Sequence, residues 1–113
     1  MSNKTVQAIE ENIRQAKVIV GVGESLERLR ENRDFKTVIL DGYFKDEAVR
    51  LVHLKASPNM QSPDMQKSIV AQMDAIGSLS QYFTAVFQQA SIASKAIASD
   101  EEARDEILAE ENN

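Results

Sequence analysis

The segment PDMQKSIVAQMDAIGSLSQYFTAVFQQASIASKAIA, from Pro63 to Ala98, constrains the fold more than any other part of the chain. Ile69, Ile76, Phe83, Ala90 and Ile97 recur every seven residues, and Leu79, Val86 and Ala93 follow three residues after the middle members. That spacing lines one side of an α-helix with an apolar seam over about four heptads, which Met73 and Phe87 widen. A continuous helix of that extent would reach about 54 Å, more than a compact domain of this size requires, so part of the seam is expected to meet polypeptide outside the monomer's own core.

The same segment is poor in charge. Asp64, Lys67, Asp74 and Lys95 are its ionisable residues, while Gln66, Gln72, Gln81, Gln88 and Gln89, with serines and alanines, fill the other faces. Ions hydrate well and are rarely buried unpaired, so a fully solvated helix usually carries more of them. Gln, Ser and Ala can rest against protein without that cost. The helix is therefore expected to be clasped on more than one side, either by the first half of the chain in a monomeric bundle or by copies of itself or a larger protein. The seam residues together with Phe87 form the candidate interaction surface, and Ala90→Glu or Phe83→Asp is expected to disrupt association.

Helix dominates the remainder as well. Val6, Ile9, Ile13, Ala16 and Val20 fall at spacings of three and four, and Val22, Leu26 and Leu29 carry the stripe past two glycines, which predicts a helix over 4–31. Each glycine costs about 1 kcal/mol relative to Ala inside a helix, so a kink, a close helix–helix approach or a break is expected near Gly21 and Gly23. Two shorter helices are predicted over 34–56: one capped by Asp34, with Phe35, Val38 and Ile39 on one side and Gly42 at its end, the next carrying Phe44, Ala48, Leu51 and Val52. Pro58 and Pro63 interrupt the chain. Ser62 as N-cap with Pro63 in the first helical position marks the start of the long helix, so the helix ending near Ala56 should turn back on it as a hairpin. Ser99 and Glu102 match a capping box, leaving open whether the long helix restarts there or runs on to about residue 110. The expected architecture is all-α: a hairpin or small bundle, in one domain, with one long C-terminal helix.

Chemistry finds little footing here. The Gly-Val-Gly-Glu-Ser stretch from Gly21 to Ser25 lacks the Lys-Ser/Thr ending of a phosphate loop and the third glycine of a dinucleotide fingerprint, and a strand at Val18 to Val20 before it would find no second strand in the chain to pair with. His53 is the single histidine, and no acid on its own helix converges with it. The absence of cysteine removes disulfides, thiolate nucleophiles and thiolate metal sites. These features predict a protein that is not an enzyme, with no catalytic, cofactor-binding or metal-binding residues, no cofactor and no small-molecule substrate. The net charge of −5 gathers in the tail from Asp100 to Glu111, which argues against nucleic acid and anionic lipid as partners. Arg28, Arg30, Arg33 and Lys36 are interleaved with acids that cancel their field. A polar beginning and the lack of an apolar run of about 20 residues predict a soluble, unsecreted chain.

The run NRDFKTVILDGYFKDEAVRLVHLKASPNMQSP, followed by AIGSLSQYFTAVFQQA and the ending EILAEE, resembles small helical proteins encoded by tailed bacteriophages among their head and tail structural genes. The resemblance covers roughly Leu26 to Glu111. It implies a virion component or morphogenesis accessory, docking on portal, capsid or copies of itself, and located in the virion or in the host cytoplasm during assembly. It carries no assigned functional residues. The competing expectation is a host-directed phage regulator, a compact monomer that uses the mixed-charge segment from Glu24 to Lys36 to bind a bacterial protein.

Overall fold

The computed structural model describes residues 2–112 and is all-α. Helix α1 spans Ser2–Glu31, followed by a three-residue helix α2, Arg33–Phe35, a π-helical segment Lys36–Glu47, helix α3, Ala48–Ala56, a 3₁₀ turn Pro58–Met60 and helix α4, Pro63–Glu111. The chain divides into two compact units: residues up to Leu26 with those from Ala85 onward, and Glu27–Thr84.

In the second unit the predicted hairpin forms. α3 ends at Ala56, and α4 begins at Pro63 with the Ser62 hydroxyl accepting a hydrogen bond from the Met65 N–H at 3.3 Å. Two amides close the turn. Gln61 donates to the carbonyls of Lys55 and Ser57 at 3.0 and 2.7 Å, and Gln66 donates to those of Lys55 and Met60 at 2.9 and 2.7 Å. The last carbonyls of a helix have no partner within it, so these side chains supply what the end of α3 lacks. The core beneath is Leu51, with no exposed surface, against Ile69 and Ile76, ringed by Tyr43, Phe44, Ala48, Leu54, Met60 and Met73.

Residues 33–56 depart from the predicted pair of α-helices. Asn32, not Asp34, is the cap: its side-chain oxygen accepts from the Phe35 N–H at 2.9 Å. Gly42 does not end a helix, because the backbone passes through it in the π form. The cause is the spacing of the apolar residues. Phe35 and Phe44 both meet Phe83 of α4, with ring centroids 6.0 and 5.5 Å apart. Nine residues are two and a half turns of an α-helix, which would put the two rings on opposite sides, but about two turns of a π-helix at about 4.4 residues per turn, which aligns them. Ile39 or Leu40, then Ala48, continue the same period on half-buried positions. Val38, which α-helical spacing places beside Phe35, is 64% exposed.

The first unit pairs α1 with the C-terminal part of α4. The two run antiparallel, since Gly23 lies against Ala90 whereas Ala16, further back on α1, shares a groove with Ala93 and Ala96, further on along α4. α1 is unbroken through both glycines, which corrects the break allowed by the sequence. Gly23 instead serves the close approach: a Cβ built there would stand 2.5 Å from the Ala90 Cβ. A glycine facing a small residue lets two helix backbones come nearer than side chains otherwise permit. Ile13, Leu26, Val86 and Ala93 are buried in this unit. α4 does not restart at Ser99 but continues as one helix to Glu111.

Candidate interaction surface

The structure places the seam of α4 mostly inward. Ile69 and Ile76 belong to the Leu51 core, Phe83 sits against Phe35 and Phe44, and Ala90 against Gly23. Val86 and Ala93 are buried, and Leu79, Phe87 and Ile97 are half-buried. The chain's own first half supplies this cover, the monomeric alternative that the seam spacing left open. The charge-poor faces behave differently: Gln72, Gln81, Gln88 and Gln89 are exposed in the single chain, and only Gln66 is drawn inward, by its bonds to the α3 turn.

A surface that the heptad spacing did not single out lies in the first unit. Between α1 and α4 runs a groove of about 320 Å³ lined in part by Ala16, Ala93 and Ala96. Ile19, 41% exposed, and Ile92, 68% exposed, stand along it, and the amides of Asn12, Gln15 and Gln89 complete the lining. No lining residue is ionisable. Val18 and Val22 add further exposed apolar surface on α1. Isolated apolar side chains on a surface are ordinary, but several on adjoining turns around an alanine-lined channel form a patch suited to protein contact. The sequence did carry one signal for it: Ile92 is a large aliphatic residue off the seam in a helix whose other off-seam positions are Gln, Ser, Ala or Lys over that turn.

A second cavity of about 300 Å³ in the other unit lies between Tyr43 and Glu47 on one side and Gln72, Ala75 and Ile76 on the other. Arg50 Nε donates to both carboxylate oxygens of Glu47 at 3.0 and 3.1 Å. These bonds, with the Arg50 charge, hold the Glu47 carboxyl below the usual carboxylate range. Its charge is thus already answered at the rim. Glu11 is lowered in the same way by Arg14. His53 is exposed on α3, and among the described residues no cluster of three or more His, Asp or Glu side chains could hold a metal ion. No helix among them is long and apolar enough to cross a membrane. No protein-family model matches the chain, and comparisons with curated proteins and with solved structures return no match.

Proposed function

We propose that this chain is a non-enzymatic protein of a tailed bacteriophage, a virion component or an accessory of morphogenesis, that works through helix-mediated contacts with other protein. The observation that carries the interaction reading is the groove between α1 and α4, lined by alanines and amides with no ionisable residue, with Ile19 and Ile92 exposed along it. Burying such a surface removes apolar area from water and strands no ion, which is the balance an assembly contact requires. The phage setting is supported by the resemblance between Leu26 and Glu111 alone. Contacts of this kind leave no role for a cofactor or a small-molecule substrate. Mass spectrometry of purified, nuclease-treated phage particles tests the assignment. A fixed copy number per particle, or presence in precursor particles with loss on maturation, is the expected result. Absence from both kinds of particle, with recovery on a bacterial protein instead, would favour the host-directed regulator and overturn the assignment.

A further inference from the structure

We infer that the segment Lys36–Glu47 is a register switch, a helix that exchanges between the π form of the structure and an α form, and that the exchange decides whether the Phe35 ring packs on α4 or turns to solvent. The inference stands apart from the proposed function, because the groove that carries that reading lies in the other unit.

Local preference and tertiary packing disagree over this segment. A π-helix is rare and occurs mostly as a single turn, yet here it runs for 12 residues. What holds the wider helix is Phe83, which meets Phe35 and Phe44 together, with ring centroids 6.0 and 5.5 Å away. The backbone's own preference for the α form therefore works against two aromatic contacts, and opposed terms of this kind give a minor state that is populated.

The same residues also carry a complete α-helical pattern. Leu51 is wholly buried against Ile69 and Ile76, which fixes the inner side of α3. If the α form is continued backwards from α3, then Ala48, Phe44 and Leu40 fall on the Leu51 side at spacings of three and four. Phe35, Val38, Ile39 and Gly42, at i, i+3, i+4 and i+7, then share the opposite side. Val38, 64% exposed, is the member of that second stripe that the π form already leaves outside.

The flanking backbone suits the exchange. Phe35 (φ −60°, ψ −44°) and Ala48 (φ −61°, ψ −44°) are both right-handed helical, so hydrogen bonds can pass from i→i+5 to i→i+4 rung by rung with no loop to remodel. Twelve residues make about 2.7 turns at 4.4 residues per turn and about 3.3 turns at 3.6, so the exchange swings Arg33–Phe35 by rather more than half a turn about the helix axis relative to α3. Asn32 can absorb that rotation, since it joins α1 to α2 in extended form with ψ 126°. The Asp41–Lys45 ion pair, four residues apart at 3.7 Å, has a spacing that an α-helix also accepts.

Gly42 sets the balance. A Cβ there would stand 3.0 Å from the Thr37 carbonyl, the oxygen five residues back that a π ladder brings beneath it. An α ladder brings the Val38 carbonyl there instead, so a methyl group at this position crowds the π form and spares the α form.

Fluorine NMR of the full-length chain, labelled with 4-fluorophenylalanine at its four phenylalanines, tests the switch. Single Phe→Leu variants assign the resonances, and circular dichroism follows helicity. Saturation transfer should connect the Phe35 resonance to a second, solvent-exposed position populated at about 1–10%, with Phe44 remaining packed. Gly42→Ala should raise that population several-fold, and Gly77→Ala, where a Cβ meets nothing within 4 Å, should leave it unchanged. A wild-type Phe35 resonance with no exchange partner above about 1% would overturn the switch, and this measurement decides by itself if Gly42→Ala fails to fold. So would exposure of Phe44 together with Phe35, which is detachment of the segment and not a change of register, or an equal response to the two glycine variants.

Discussion

Two glycines separated by one residue should respond to the same substitution with opposite signs. At Gly21 a Cβ meets nothing within 4 Å, so Gly21→Ala adds only the helical preference of alanine, a gain of about 0.8–1 kcal/mol. At Gly23 the same gain is opposed by a contact at 2.5 Å with the Ala90 Cβ, with the Ala90 Cα and the Val86 carbonyl both at 4.0 Å behind it. A methyl group fixed to a helix backbone cannot swing aside as a long side chain does, so the helices must separate. Overpacking of that kind costs about 1–3 kcal/mol, which leaves Gly23→Ala between neutral and about 2 kcal/mol destabilised. Removing the opposing methyl should restore most of the packing, so Gly23→Ala with Ala90→Gly should recover stability relative to Gly23→Ala by more than the helix propensity of glycine at position 90 would allow. Urea denaturation followed by circular dichroism, at one protein concentration throughout, measures all four proteins. If Gly23→Ala stabilised the chain as much as Gly21→Ala, the close approach of α1 and α4 at Gly23 would be wrong.

The π-helical segment predicts that Val38→Lys changes stability by less than about 0.5 kcal/mol while Phe44→Ala costs about 2–4 kcal/mol, by the same denaturation assay; a costly Val38→Lys would indicate α-helical spacing instead. Gln66→Ala should lower stability by about 1–2 kcal/mol, because it strips the Lys55 and Met60 carbonyls of a donor, and Gln88→Ala, at an exposed position, should not. The Glu11 and Glu47 carboxyls lie below their ordinary value of 4.5 in the folded chain, so the stability they contribute is present above that value and is lost as pH falls through the lowered one. Both pairs are solvent-exposed, so the effect is small and fades with added salt; Glu47→Gln should flatten that part of a stability-against-pH curve, and a curve unaltered by both Glu11→Gln and Glu47→Gln would contradict the pairing.

Much of the fold could be read from the chain because its strongest signals are local. Ser62-Pro63 announces a helix start through one hydroxyl and one fixed φ, and the heptad series on α4 survives into the structure as buried or half-buried positions. Residues 33–56 are harder to read because their apolar spacing does not follow the 3.6-residue period of an α-helix. Phe35, Ile39 and Leu40, Phe44 and Ala48 follow a period nearer 4.4, and Gly42, which a 3.6-residue period reads as a stop, is an interior residue of that wider helix. A side chain there would press on the Thr37 carbonyl at 3.0 Å, a demand that arises only once the wider helix has formed. The groove was not legible as a unit. Ile19 and Ile92 are distant in sequence and become neighbours only through the antiparallel register that Gly23 and Ala90 help to fix. The seam itself could be located, but whether its cover came from this chain or another depends on tertiary packing, which periodicity does not encode.

The chain contains no cysteine, so single cysteines can report which side of α4 meets a neighbouring polypeptide. Cross-linking of purified phage particles that carry the variant chain with a short amine-to-thiol reagent should join Ile92→Cys chains to a neighbouring polypeptide and leave Ser94→Cys chains, with an exposed cysteine outside the groove lining, single. Equal cross-linking at both positions, or none at Ile92→Cys, would contradict protein contact through the groove.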